Sequence, residues 1–318
     1  MRHTALSFAM VAVAAVIAPL PPARTAPVRA ISPLIGHWDL VVHGKNGDYP
    51  SWLGVERSGT KTLVGAFVSQ GGSARPIAEV HVEDGRFHFT IPKQWEQGPK
   101  DITVEGQLVS DKLTGRIQDP NGAWTPFTGE RAPELPANPK PRWGKPVELF
   151  NGKDLSGWKP RHPAKANGWV VQEGLLVNKT PGNDLLTERK FRDFKVHAEF
   201  RYPQGSNSGI YLRGRYEAQI EDNYGFPAGS HYLGGIYGFV SPRINAAKPA
   251  GEWQSIDITL VGREVSITLN GEAVVTRQVI PGITGGALDS REGEDGPLLL
   301  QGDHGTVQFR RVTITPAQ

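Results

Sequence analysis

Residues 209–222, GIYLRGRYEAQIED, decide how this chain reads. The stretch has the composition of one strand, or of two strands meeting near Gly214. Side chains alternate between the two faces of a strand. In a regular strand Tyr211, Arg213, Arg215, Glu217 and Gln219 share one surface, and Tyr216, Ala218 and Ile220 face the other. A sheet face carrying Arg, Glu and Gln in a row is too polar for a core and suits a polyhydroxylated ligand.

The flanking sequence is also strand-like. Residues 193–201 alternate, with Val196, Ala198 and Phe200 on one face and Lys195, His197, Glu199 and Arg201 on the other. Residues 256–261 and 265–270 form a hairpin-like pair around Gly262-Arg263. Asn270-Gly271 is a type I′ turn signal before a strand at 272–276. Residues 307–313 read as a closing strand. Helical periodicity is absent over any long stretch, so two antiparallel sheets packed face to face are the expected solution.

Upstream, residues 131–146, RAPELPANPKPRWGKP, place five prolines in sixteen residues. Such a stretch is a stiff connector, assigned to 134–146. It separates a unit at 31–133 from the sandwich at 147–318. The first unit predicts short strands at 52–56, 62–70, 77–83, 86–92, 101–109 and 112–118, with turn signals at Ser58-Gly59, Gly71-Gly72 and Asp84-Gly85. That is the pattern of a small antiparallel barrel or meander. Trp38, Trp52, Trp95 and Trp124 either fill its core or line a pocket.

Residues 1–30 have Arg2 and His3 before an apolar run at 5–20, then a Pro- and Ala-rich stretch. This is the form of a signal peptide, with a single membrane anchor as the alternative; it predicts a periplasmic or secreted protein that does not span the membrane once processed. Cys is absent, which excludes disulfides, thiolate metal sites and Cys lipidation. The net charge of +3 comes from scattered residues. Without a basic stripe interleaved with aromatics, nucleic acid is not an expected partner.

Seven segments in order carry a resemblance to a known family: LFNGKDLSGW at 149–158, GWVVQEGLLV at 168–177, LLTERKFRDFKVHAEFR at 185–201, NSGIYLRGRYEAQIED at 207–222, GGIYG at 234–238, KPAGEWQSIDI at 248–258 and GPLLLQGDHGTVQFRRVTI at 296–314. Together they resemble the 3-keto-disaccharide hydrolase domain family, over residues 147–316. The resemblance implies an all-β fold, a concanavalin A-like or jelly-roll β-sandwich, with the barrel-like unit, similar to a calycin-like accessory domain, in front. It also implies action on glycosides oxidised to a ketone at sugar C3. A C3 ketone acidifies the hydrogen on C2. A base removes it, the enolate collapses and expels the group on C1, and water can add back. This route needs a base, an electrophile at the C3 oxygen and an acid for the leaving group, not the paired carboxylates of ordinary glycosidases. A noncatalytic carbohydrate-binding protein and a glycosidase or polysaccharide lyase are the alternatives. The oxidised substrate would come from an upstream sugar 3-oxidoreductase.

Glu217 is the first candidate for a catalytic carboxylate, against a purely structural Arg–Glu pair; a neighbouring Arg would lower its pKa. His304 in GDHG is the candidate acid or base, and Arg213 the candidate for holding an enolate or sugar hydroxyls. Asn207, Tyr211, Arg215, Gln219, Asp222, Tyr237, Lys248, Glu252, Trp253 and Gln301 are candidate substrate contacts. HExxH, EF-hand, P-loop and GxGxxG patterns do not occur. Glu217, Asp222, Glu252 and His304 have the chemistry of an oxygen-rich divalent site, but their spacing assigns no metal, and no cofactor is expected.

Overall fold

The computed structural model describes residues 32–136 and 140–318; the expected signal peptide at 1–30 and the middle of the Pro-rich connector lie outside the described residues. Nine strands follow one another in the first part: β1 (Gly36–Gly44), β2 (Gly47–Ser58), β3 (Thr62–Val68), β4 (Arg75–Ile77), β5 (His81–Glu83), β6 (Arg86–Ile91), β7 (Ile102–Val109), β8 (Lys112–Gln118) and β9 (Trp124–Arg131). They form one antiparallel sheet in the order β4-β3-β2-β1-β9-β8-β7-β6-β5. The sheet curls until β4 comes up beside β6, giving a barrel-like shape with an open seam. Asp84 and Gly85, both at positive φ, make the two-residue turn between β5 and β6, a turn that demands residues tolerating the left-handed region. Alternation fills the interior: Phe87, Phe89 and Ile91 of β6 are buried while Arg86, His88 and Thr90 are exposed, and Trp38, Phe67 and Phe127 join the same core.

The second part has thirteen strands: β10 (Val147–Glu148), β11 (Trp158–Pro160), β12 (Trp169–Gln172), β13 (Leu175–Asn178), β14 (Leu185–Phe191), β15 (Phe194–Arg201), β16 (Asn207–Leu212), β17 (Tyr216–Glu221), β18 (Gln254–Val261), β19 (Glu264–Leu269), β20 (Glu272–Val279), β21 (Gly296–Leu300) and β22 (Val307–Pro316). One sheet runs β12-β13-β22-β15-β18-β19-β20, with β10 also on β22; the other runs β11-β14-β21-β16-β17. The two make an all-β sandwich. Val196, Ala198 and Phe200 of β15 and Ile256, Ile258 and Leu260 of β18 meet Ile210, Leu212, Ala218 and Ile220 of the smaller sheet in one core. Alternation along β16 and β17 then sends Tyr211, Glu217 and Gln219 to the outer face of the smaller sheet.

Residues 34–318 form one compact unit. Trp52 and Val68 of the curled sheet belong to the sandwich core, and the Trp52 ring meets Phe239 edge-on at 5.5 Å. Gly286 N donates to Gln70 O at 2.9 Å, and Ser290 Oγ donates to Leu40 O. Backbones approach so closely here that a Cβ on Gly285 would lie 2.2 Å from Gly72 O, and one on Gly282 would lie 2.1 Å from Trp52 Nε1.

Candidate active site

The hairpin of β16 and β17 is the platform of the site. Its register puts Tyr211 opposite Glu217, Gly209 opposite Gln219 and Asn207 opposite Glu221. Only glycine fits at 209: a Cβ there would lie 2.4 Å from Glu217 Oε1 and 2.9 Å from its Cγ. The Glu217 carboxyl therefore occupies the space that a side chain on the neighbouring strand would fill. The outer edge of β17 does not face solvent. Tyr237 N donates to Glu217 O at 3.0 Å, Gln219 N to Gly235 O at 3.0 Å and Gly234 N to Gln219 O at 3.2 Å. The GGIYG segment thus pairs with the edge strand and sets the Tyr237 ring at the rim.

A cleft of about 490 Å³ opens over this platform, lined by Asn207, Tyr211, Glu217, Gln219, Tyr237, Gln301 and His304 from the expected set. Arg161, His162, Asp184, Gly285, Gly286 and Asp303 complete the sandwich side, and Gln70, Gly71 and Gly72 from the loop after β3 and Trp95 from the loop after β6 also line the cleft. Tyr211 Oη donates to Gly285 O at 2.9 Å. Gln219 Nε2 donates to His231 O at 3.2 Å, and Asn207 Nδ2 donates to Glu221. Gln301 is 8 % exposed, and its Oε1 is buried without a partner, a condition that favours a donor on a ligand.

Burial sets the charge state of Glu217. Its side chain is removed from water, which pushes its pKa up to about 8; Asp303 and Asp184 add to the rise, while the Tyr211 hydroxyl and the His304 charge oppose it. His304 Nδ1 lies 2.5 Å from Asp303 Oδ1, and that hydrogen bond holds the His304 pKa above its ordinary value against the effect of burial. Burial would raise Asp303, but the hydrogen bond and charge of His304 bring it below the usual carboxylate range. Arg161 stands on the cleft wall, donating from Nη1 to Asp184 Oδ2 at 3.0 Å and to Gly286 O at 2.9 Å, and from Nη2 to Ala287 O at 3.1 Å. Gly302 N donates to Asp184 Oδ1 at 3.0 Å, fixing the carboxylate from the other side.

Six expected contacts lie outside this cleft. Arg213 and Gly214, both at positive φ, sit in the turn between β16 and β17, so Arg213 leaves the strand before alternation can aim it at the site. Its Nη2 donates instead to Gly262 O at 2.7 Å and Tyr216 Oη at 3.2 Å. Arg215, at the end of the same turn, donates from Nε to Asp289 Oδ1 at 2.8 Å and from Nη1 to Glu294 O at 2.9 Å. With both guanidiniums turned away, the expected lowering of the Glu217 pKa gives way to the rise that burial imposes. Asp222 Oδ2 accepts from Gly205 N at 2.8 Å. Lys248 Nζ donates to Trp253 O at 3.1 Å, and Glu252 sits in an exposed turn closed by its own N–H to Pro249 O at 3.1 Å. Trp253 lies under the guanidiniums of Arg201 and Arg310, at 4.9 and 4.6 Å.

Sequence reasoning missed Arg161, His162, Asp184 and Asp303. Asp303 had a local signal, since it neighbours His304 in the GDHG loop. Arg161 and Asp184 follow β11 and precede β14, and only the pairing of those strands shows that they meet. Among the described residues no three His, Asp or Glu side chains converge as metal ligands.

Residues 145–315 match the family model described as the 3-keto-alpha-glucoside-1,2-lyase-like domain. A 3-keto-disaccharide hydrolase from Bacteroides thetaiotaomicron is 24 % identical over 168 residues, covering 41 % of this chain and 57 % of that protein, so the chain spans little more than half the length of this curated relative. A crystal structure of a candidate glycosyl hydrolase from Parabacteroides distasonis is 28 % identical, covers 56 % of this chain and 92 % of its own, and superposes with a TM-score of 0.45. A carbohydrate-binding module from Bacillus subtilis is 15 % identical, covers 50 % of this chain and 94 % of its own, and superposes with a TM-score of 0.34. The family model covers more than half of the sequence, and the chain belongs to the family of the 3-keto-alpha-glucoside-1,2-lyase-like domain.

Proposed function

We propose that the protein cleaves 3-keto-glycosides by elimination across C1 and C2, followed by addition of water, so that the net reaction is hydrolysis. The observation that carries this reading is Glu217, a buried carboxyl whose pKa is pushed up to about 8 in a polar cleft shared with His304. A carboxylate of that pKa is a far stronger base than an exposed one, and roughly a tenth of it is ionised at pH 7.

The carboxylate of Glu217 takes the C2 proton. The electron pair of the C2–H bond moves into a C2–C3 double bond, and the C3 carbonyl becomes an enolate. Positive charge on the cleft wall comes from Arg161, which takes the part expected of Arg213. The enolate then reforms the C3 carbonyl, a C1–C2 double bond forms, and the C1–O bond breaks. His304, whose pKa the Asp303 hydrogen bond raises, gives its proton to the departing oxygen. Water adds to C1 of the unsaturated keto-sugar and a proton returns to C2. The substrate is oxidised before it arrives, so a separate sugar 3-oxidoreductase acts upstream. With residues 1–30 as a signal peptide, the reaction takes place in the periplasm or outside the cell.

The test incubates the protein with a 3-keto-glucoside and with its unoxidised parent in D₂O, followed by NMR, with Glu217→Gln alongside. Release of the aglycone from the keto compound alone, deuterium at C2 and loss of turnover in Glu217→Gln are expected. Cleavage of the parent, or binding of the keto compound without turnover, would overturn the proposal.

A further inference from the structure

We infer that Trp95, contributed by the curled N-terminal sheet, is the stacking platform for the leaving group, so that this sheet determines aglycone specificity; the inference rests on the function proposed above. Trp95 is 53 % exposed, and it lines the same cleft as Glu217.

The indole is half exposed, and the residues on both sides of it are held in place. Gln94 Nε2 donates to Ser73 Oγ at 2.7 Å, and Ser73 N donates to Gln94 Oε1 at 3.1 Å. Glu96 on the other flank accepts from Gln94 N at 2.9 Å and is paired at 3.0 Å with Arg75, whose guanidinium is buried. The indole lies against Gly71 and Gly72: a Cβ on Gly72 would be 3.2 Å from the ring, and one on Gly71 would be 3.8 Å away. Gly71 follows Gln70, whose carbonyl accepts from Gly286 N, and a Cβ on Gly286 would lie 2.5 Å from Tyr211 Oη. Tyr211 in turn is the cross-strand partner of Glu217. A continuous wall therefore leads from the catalytic carboxyl to an exposed, pre-positioned indole.

The two ends of this wall differ in chemistry. Around Glu217 the lining is polar, with Gln219, Asn207 and Gln301, whose Oε1 lacks a partner, which suits a keto-sugar ring rich in hydroxyls. At the rim the indole offers a flat apolar face, which suits the face of a second ring. A cleft of about 490 Å³ lies in the range that takes a ligand of two rings. Aromatic platforms hold rings by stacking without demanding particular hydrogen bonds, so Trp95 selects for a ring-bearing aglycone over a small one.

The experiment measures kcat/KM for 4-nitrophenyl and methyl 3-keto-glucosides with the full chain, Trp95→Ala and Trp95→Phe, together with calorimetric binding of both compounds to the Glu217→Gln protein with and without Trp95→Ala. The expected result is a drop of about tenfold for the nitrophenyl compound in Trp95→Ala, little change for the methyl compound, and recovery in Trp95→Phe, with the same split in binding. Equal effects on both compounds, or none, with the original chain active would overturn the role of Trp95 and leave the function standing. An original chain that neither binds nor cleaves either compound would overturn the function and the Trp95 role with it.

Discussion

Replacing Glu217 by Gln tests the electrostatics of the site separately from its chemistry. Gln has nearly the same shape and no charge. In the folded protein burial pushes the Glu217 pKa from the usual 4.5 up to about 8. The folded state therefore binds this proton more tightly than the unfolded state. Between those two values the unfolded chain has fewer protons on this group, so stability falls as pH rises and levels off above about 8. The gap between 4.5 and about 8, at about 1.36 kcal/mol per pH unit, sets an upper bound of about 5 kcal/mol. The Gln variant does not incur this cost. Its advantage over the original protein should be small at pH 5 and should grow up to pH 8. Half of the bound corresponds to roughly 5–10 °C in melting temperature for a domain of moderate size. Thermal unfolding of both proteins at pH 5, 6, 7 and 8 measures the difference, and the common pH dependence of all other groups cancels. A melting-temperature difference that stays flat, or that shrinks toward pH 8, would refute the argument that burial dominates the Glu217 environment.

Gly209→Ala should lower kcat by about a hundredfold, because its Cβ would lie 2.4 Å from Glu217 Oε1 and must displace the carboxyl; steady-state kinetics beside circular dichroism reads the effect. Asp303→Asn should lower the His304 pKa, since the Asp303 hydrogen bond is the largest cause of its rise; an NMR titration of the imidazole checks the direction. Arg215→Met removes the hydrogen bonds to Asp289 Oδ1 at 2.8 Å and Glu294 O at 2.9 Å, while Asp289 keeps its pairing with Arg291 at 3.2 Å, so it should cost about 1–3 kcal/mol of stability in urea unfolding, and the side chain does not line the cleft.

Strands were legible where alternation and turn chemistry agreed. The strand at 194–201 and the Asn270-Gly271 turn follow from residues a few positions apart, so local pattern suffices. The hairpin at 207–221 was half legible. Tyr211, Glu217 and Gln219 do share a face, because the turn at 213–215 returns the chain with Tyr211 opposite Glu217. The same turn removes Arg213 and Arg215 from that face, and nothing in their identity separates a strand arginine from a turn arginine. Arg213 even adopts a φ of 53°, a region in which Arg is uncommon. Lys248, Glu252 and Trp253 lie in a segment that carries the family resemblance, yet Lys248 bonds to Trp253 O and the Trp253 ring packs under Arg201 and Arg310, away from the cleft. Arg161, Asp184 and Trp95 stand in the cleft through contacts between distant segments, which no spacing along the chain encodes.

Gly282 and Gly285 show how the two halves of the chain constrain each other. Neither glycine adopts a left-handed φ, so their own backbones would accept a side chain. What forbids one is the Trp52 ring in the first case and the Gly72 carbonyl in the second, both supplied by the curled sheet. A relative whose sandwich stands without such a sheet has no neighbour to keep these two positions small. Residue size at 282 and 285 is thus a written trace of the partner sheet, and comparing those positions across the family would sort its members by architecture before any of their structures is known.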